Sequence, residues 1–453
     1  MRLRRTNRLD EYFFAETPEV LNHARGFPEL RAPLQAISVM RWLFSCAGSS
    51  IGSNLSFHEC FEAVFQFHRC FPTSFLLEGD HDGTSPEIPI GRECRNASQE
   101  RIQVMKKMLA AVLRGVDQFQ IEECPIPEPG PGEVLVEVRA CGFCATDFKA
   151  IRGKRCNVSF PLIPGHEPSG VVAAVGSGVS HVKEGDAVIV QPSGFCGLCE
   201  PCRMGATHYC DRAYTTGGDG PEDVRPGSFA EYVLTGANTL FHKPASLSFA
   251  AACQTEPLSG AWKGLIQMSE MKVGDDVVVI GTGSIGMYCL MVAKAAGAGR
   301  LIAVDVSDFA LATAQRLGAT HIINPNHSPA VESIAEILPK GPDLVVEAAG
   351  PIEAVRLMVR LLRRGTRWNV FGITTHETFE LDGGLMHFLE ARMDASFGTT
   401  PLAMQQAIRL MERGLVQPEQ VISHRFPLQQ MDEALEVMGS AGRNKIIIEP
   451  KCI

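Results

Sequence analysis

No run in this sequence approaches the roughly 18 uninterrupted apolar residues that a membrane-spanning helix needs, so a membrane role is not expected. There is no basic excess either. A net charge of −9 leaves nothing to neutralise a phosphate backbone, which argues against a nucleic-acid partner. The arginine-rich start, Met1-Arg-Leu-Arg-Arg, lacks the following apolar segment of about 7–15 residues that a secretory signal requires. Asp10, Glu11, Glu16 and Glu19 come too early for a mitochondrial presequence. What remains is an ordinary soluble composition, 45% hydrophobic and 21% charged, on a chain of 453 residues long enough for two or three domains.

Cysteine is present in quantity and unevenly placed. Of 15 cysteines, four crowd between 196 and 210. An odd total with one dense cluster reads as metal ligands in a reducing compartment, not as a disulfide framework, and the cytoplasm is the expected location.

Residues 1–104 differ in texture from the rest of the chain. They hold ten of the 24 phenylalanines without a regular strand and turn rhythm. Phe57, Phe61 and Phe65 at i, i+4 spacing suggest one short amphipathic helix, and Leu77-Glu-Gly-Asp-His-Asp-Gly-Thr-Ser-Pro reads as polar linker. His58-x-Cys60 and His68-x-Cys70 have no further ligand spacing nearby and are not read as a metal site. The segment is therefore an N-terminal extension with no assigned role and poor order expected, and Met105 and Met108 stand as alternative starts. From Leu109 onward short strands and Gly/Pro turns run to about 245, as in a β-rich domain. After 259 the apolar runs Val277-Val-Val-Ile, Leu301-Ile-Ala-Val and Leu344-Val-Val-Glu alternate with helical stretches, the signature of a doubly wound parallel sheet. A helix near Pro401–Arg413 and a strand at Lys445-Ile-Ile-Ile-Glu close the chain.

Three constellations carry chemistry. Cys196-x2-Cys199-x2-Cys202-x7-Cys210 places four thiolates in one short loop, a closed tetrahedral set that is structural zinc by default, with an iron–sulfur site as the alternative. Cys144-Ala-Thr146-Asp147, His166-Glu167 and Glu256-Pro-Leu are each weak alone. Together they offer a thiolate, an imidazole and a carboxylate with a position left open for water or a substrate oxygen. Gly281-Thr-Gly283-Ser284-Ile285-Gly286 follows an apolar strand and opens a helix, the context in which such a turn binds a dinucleotide pyrophosphate. Asp305 ends the next strand, where a carboxylate accepts from ribose hydroxyls and repels a 2′-phosphate, favouring NAD over NADP.

The order of these motifs over 105–453 resembles the zinc-containing medium-chain dehydrogenases, and within them the sorbitol and threonine dehydrogenase branch. That resemblance implies a β-rich GroES-like catalytic domain, 105–258 with 401–453, holding two zinc sites, one catalytic and one structural. It implies a Rossmann NAD-binding domain over 259–400 and a homo-oligomer, dimer or tetramer. The implied activity is a zinc-dependent, NAD-linked oxidation of a small alcohol, polyol or amino alcohol to its carbonyl partner. Cys144 and His166 are implied as zinc ligands, with Glu167 or Glu256 supplying the carboxylate directly or through water. Thr146 is implied to take the proton of the bound alcohol, and by its residue type it could equally cap the following helix.

Two positions depart from the family's pattern. Lys149 stands where relatives often carry a histidine that passes the proton on. It is a relay, an electrostatic stabiliser of alkoxide or a solvated side chain, and it counts against a strict threonine dehydrogenase. Ala310 stands where a Lys or Arg often meets the adenosine ribose, which weakens NAD binding without switching cofactor. Loops at 148–160 and 380–400 are expected to shape the substrate pocket, with Lys149 and Arg152 favouring a polar or anionic substrate. The alternatives are a non-catalytic nucleotide-binding sensor or scaffold, against which an intact open metal site counts, and a zinc-free quinone reductase.

Overall fold

The computed structural model describes residues 106–154, 158–217, 223–373 and 377–451. The helix expected around Phe57, Phe61 and Phe65, and the His58/Cys60 and His68/Cys70 pairs, lie outside them. The described residues fall within one compact unit, Arg101–Ile453.

Two sheets organise this unit. The first is built on the strand Glu133–Phe143, whose core-facing valines are fully buried. It pairs antiparallel with Glu167–Val175, with Tyr232–Gly236 and with the C-terminal strand Lys445–Glu449. The sheet extends through Ala187–Val190 and Leu240–His242 on one side and Ile422–Pro427 on the other, seven strands in all. Register matters here because it decides which side chains meet. Gly142 lies opposite Glu167 on one neighbour and Ile447 on the other, so the chain's last strand is brought beside the start of Glu167–Val175.

The second sheet has six parallel strands in the order His321–Ile323, Leu301–Val304, Val277–Ile280, Leu344–Glu347, Arg367–Val370, Arg392–Ala395. Val277–Ile280 is buried on both faces, which is why it reads as an unbroken apolar run. Strand order reverses between Val277–Ile280 and Leu344–Glu347, and the crevice beyond the carboxyl ends at such a reversal is where open α/β sheets bind ligands. Helices Ser284–Ala295 and Asp308–Leu317 lie where the sequence pattern placed them. Helix Pro401–Glu412 buries Met404, Ala407, Ile408 and Met411 in the same core as Val277 and Leu301. The opposite face packs Trp368 against Ile334, Val355 and Met358.

Trp368 is the largest side chain in that second core, 1% exposed, with its indole N–H donating to the Leu361 carbonyl at 3.3 Å. Trp368→Ala is expected to cost about 3–5 kcal/mol and to lower the melting transition by several degrees in a thermal unfolding experiment. A melt unchanged from wild type would show that this face of the sheet does not carry the stability its burial implies.

Candidate active site

Helix Ala145–Ile151 begins immediately after the central strand of the first sheet, with Cys144 in extended conformation at its cap position. The buried carboxylate of Asp147, third in this helix, organises the segment. One oxygen accepts the Cys144 N–H at 3.1 Å, and the other accepts the Gly165 N–H at 3.2 Å and meets His166 Nδ1 at 3.1 Å. With Nδ1 held, Nε2 is the ring nitrogen left for a metal, the arrangement in which a carboxylate fixes the tautomer and aim of a ligating histidine. Burial opposes charge on His166, but Asp147 and then Cys144 raise its pKa well above the ordinary range.

Donor atoms of Cys144, His166 and Glu167 lie within 4.8 Å of one another, one thiolate, one imidazole and one carboxylate. That spacing and donor set suit zinc with an open position, which tests the chemistry of the site favourably. Glu256 stands outside the cluster but feels it. Burial pushes its carboxyl up to about 7, with His166 pulling it back and Glu167 adding to the rise. It sits in the first turn of helix Thr255–Trp262.

Glu167 has a partner that the sequence did not disclose. The Lys445 ammonium, 1% exposed, forms an ion pair with it. Burial works against the Lys445 charge, yet Glu167 chiefly, with Tyr288 and Cys144, holds its pKa above the usual lysine range. Gly142 makes room for this pair: a Cβ there would run into the Glu167 carboxylate and lie 2.7 Å from Lys445 Cε.

Thr146 is the second residue of its helix and exposed enough to meet a ligand; the cap position belongs to Cys144, so the capping reading of Thr146 is corrected. Lys149, one turn further on, makes no ion pair among the described residues.

The four cysteines of the loop converge as the spacing suggested. All four sulfurs lie within 4.8 Å of one another, room for a single ion and not for a multi-iron core. A Zn–S distance of about 2.3 Å gives tetrahedral edges of about 3.8 Å, and the Cys199 and Cys210 sulfurs are 3.8 Å apart. Backbone N–H groups of Leu198 and Cys199 each reach Cys196 Sγ at 3.4 Å and push that thiol down to about 6, which favours the thiolate a metal requires.

At the glycine turn the three glycines have separate physical reasons. Gly281 has φ +88°, and a Cβ there would lie 2.6 Å from the Ala349 backbone nitrogen. At Gly283 a Cβ would meet nothing within 4 Å, so the backbone is open to a ligand. At Gly286 it would strike the Gly281 carbonyl. Ser284 and Ile285 form the first turn of the helix whose N-terminus faces this opening. Asp305 accepts from the Thr282 N–H at 2.6 Å, the Thr282 hydroxyl at 3.0 Å and the Ser307 N–H at 2.8 Å. Those bonds aim the carboxylate at the turn while leaving acceptor capacity. Ala310 is buried.

The two sites adjoin. Tyr288, in the helix that the glycine turn opens, donates from its hydroxyl to Gln254 Oε1 at 2.7 Å, two residues before Glu256. Burial pushes the Tyr288 phenol well above its ordinary value, and its charge neighbours are Lys445, Glu167 and Cys144.

Residues 130–245 match the alcohol dehydrogenase GroES-like domain and residues 284–413 the zinc-binding dehydrogenase domain. An L-threonine 3-dehydrogenase of Bacillus velezensis is 32% identical over 350 residues, 76% of this chain and 99% of that protein. A sorbitol dehydrogenase of Bacillus subtilis is 31% identical over 340 residues, 74% of this chain and 94% of that protein. Among solved structures, a protein of Sinorhizobium meliloti 1021 described as a zinc-binding dehydrogenase, with NADP bound, superposes with a TM-score of 0.71 at 30% identity. The match covers 76% of this chain and 100% of that one. The chain belongs to the zinc-dependent alcohol dehydrogenase family and is an oxidoreductase of that class. Within the family it stands with the sorbitol and threonine dehydrogenase branch.

Asp147→Asn would turn an amide NH2 toward one or two of the three groups that now donate to the carboxylate, and is expected to lower zinc affinity of the open site about 10- to 100-fold. Metal analysis after dialysis against a chelator should then give one zinc per chain where wild type keeps two. Retention of both would remove Asp147 from the support of His166.

Proposed function

We propose that this protein oxidises a small secondary alcohol, polyol or amino alcohol with NAD, and reduces the matching carbonyl in reverse. The observation that carries the reading is the three-donor cluster of Cys144, His166 and Glu167, placed beside the helix that opens from the glycine turn. Cys144, His166 and Glu167 hold the catalytic zinc, and Glu256 approaches it directly or through water. Cys196, Cys199, Cys202 and Cys210 hold the structural zinc. The zinc contributes Lewis acidity toward an alcohol oxygen and NAD contributes a hydride acceptor.

The chain's own part is to place and deprotonate the substrate. Thr146 takes the hydroxyl proton, and Lys149, one turn along the same helix and free of ion pairs among the described residues, passes it outward. Asp147 keeps the His166 ring aimed, and the ion pair with Lys445 restrains the Glu167 carboxylate. Gly281, Gly283, Ser284, Ile285 and Gly286 receive the pyrophosphate, and Asp305 receives the adenosine ribose. Because a relative of the same fold was solved with NADP, the preference for NAD rests on the Asp305 carboxylate and not on the fold.

The catalytic domain comprises 105–258 with the end of the chain, and the cofactor domain runs from 259 past the expected boundary at 400, because helix Pro401–Glu412 packs in the parallel-sheet core. No helix of the described residues is long and apolar enough to cross a membrane. Thiolates held for metal suit a reducing compartment, which supports a cytoplasmic location. Exposed Leu385 and Phe388, in the helix Gly383–Leu389 that precedes the edge strand Arg392–Ala395 of the parallel sheet, support a homo-oligomer.

Two experiments test this reading. With NAD and a panel of secondary alcohols, polyols, amino alcohols and hydroxy acids, the wild type should generate NADH absorbance, and Cys144→Ser should reduce it to background while one zinc per chain remains. Full activity in Cys144→Ser would sink the zinc assignment. Asp305→Ser is expected to raise kcat/KM with NADP relative to NAD by about tenfold or more; an unchanged ratio would free Asp305 from cofactor choice.

A further inference from the structure

Away from the open metal cluster, a buried cation stands without a carboxylate partner among the described residues. Lys263 is 2% exposed and opens the π-helical turn Lys263–Met268, which continues the helix carrying Glu256. Seven positions apart, the two side chains fall on one face of that helix. Turns of this kind are rare and concentrate at functional positions. The carbonyl it redirects at Gly264 is taken up by Asn369 Nδ2 at 3.0 Å, which ties the turn to the parallel sheet.

Lys263 Nζ donates to the Phe397 carbonyl at 2.7 Å and to His208 Nε2 at 3.1 Å. Each partner belongs to a different part of the fold. His208 lies in the turn Thr207–Tyr209, between Cys202 and Cys210 of the four-cysteine loop. An ammonium can only donate, so Nε2 accepts from it and the ring is neutral. Phe397 lies in the loop that leaves the carboxyl end of Arg392–Ala395, the sixth strand of the parallel sheet. In a doubly wound sheet that end of the second half borders the crevice that holds the nicotinamide part of a dinucleotide. The same loop is fastened by Ser396, which donates to Asn369 Oδ1 at 3.1 Å, and by the Thr399 hydroxyl against that of Ser259.

An ammonium buried between a carbonyl and a ring nitrogen is a poor way to gain stability alone. An apolar side chain of similar length would fill the space without the desolvation cost. What the ammonium adds is direction, since it fixes two acceptors relative to each other. We propose that Lys263 and His208 are positioning residues for the cofactor. They pin the four-cysteine loop to residues 396–400, so that the metal loop sets the shape of the nicotinamide side of the crevice. This role rests on the glycine turn binding a dinucleotide.

The test uses the purified full-length protein, with NADH titrated by fluorescence, zinc counted by metal analysis and stability followed by thermal melting. Lys263→Met and His208→Leu are expected to keep two zinc ions per chain and to weaken NADH binding about tenfold. His208→Gln, whose side-chain oxygen can accept from the ammonium, should remain within about threefold of wild type. NADH affinity unchanged in both Lys263→Met and His208→Leu overturns the proposal. So does equal weakening in His208→Gln and His208→Leu, or weakening that appears only when zinc is lost. If Lys263→Met does not fold, the His208 pair decides alone. Failure of the wild type to bind NADH would overturn the cofactor reading and this proposal together.

Discussion

The ion pair of Glu167 and Lys445, closed over Gly142, is the constraint on which the rest of the site depends. It joins a strand near the start of the described chain to the strand that ends it, 278 residues apart by sequence (445 − 167). Neither charge could be buried alone without a penalty of several kcal/mol. The pair is tolerable only because the sheet register brings both side chains to Gly142, where a missing Cβ leaves the volume they occupy. An apolar pair of similar size would pack there at lower cost. That the chain keeps charges fits a site where a carboxylate must be held in one place.

That constraint also explains what is and is not legible in the sequence. The glycine turn is legible because its three glycines answer to local geometry: a positive φ, an open face and a close helix–strand approach, all within six residues. The four-cysteine loop is legible for the same reason, since its ligands lie within 15 residues of one another. The parallel strands announce themselves through unbroken apolar runs. Lys445 is not legible, because a lysine opening an apolar strand looks like an ordinary solvated end. Only the antiparallel pairing with Glu133–Phe143 turns it inward. Asp147 stands inside a recognisable motif yet shows no role there, since its three N–H partners come from Cys144, Gly165 and His166, the latter two on a different loop. Thr146 has the right chemistry for a cap, but the turn starts two residues earlier, where Cys144 already holds that position. In each case the missing information is long-range register or the exact start of a turn, not residue chemistry.

The open and closed metal sites differ in the way their ligands are held, and the difference follows from their tasks. The closed loop draws its order from backbone N–H groups aimed at sulfur, so four residues close in sequence suffice. The open site draws its order from side chains supported by other side chains: Asp147 behind His166 and Lys445 behind Glu167. A site that must leave a coordination position vacant for substrate cannot rely on the metal to pull its ligands into place, so the protein has to preorganise them. This is why the closed site is dense in sequence and the open one scattered.

The departures at Lys149 and Ala310 fall at the two ends of the reaction path and bear on different terms. Ala310 is buried in the helix after Asp305, so the adenosine end has no cation of its own there and leans on the Asp305 carboxylate and the helix N-terminus. On the proposed reading, cofactor discrimination would depend on one side chain whose oxygens are already aimed by Thr282 and Ser307. At the other end Lys149 puts a positive charge one turn from Thr146, in the first helix of the open site. A cation so placed favours an oxygen losing its proton and disfavours a cationic substrate approaching the same point. On the proposed reading, an amino alcohol would meet repulsion from Lys149 that a polyol or hydroxy compound without an ammonium group would not. In that role one charge would both help the proton leave and narrow what can bind.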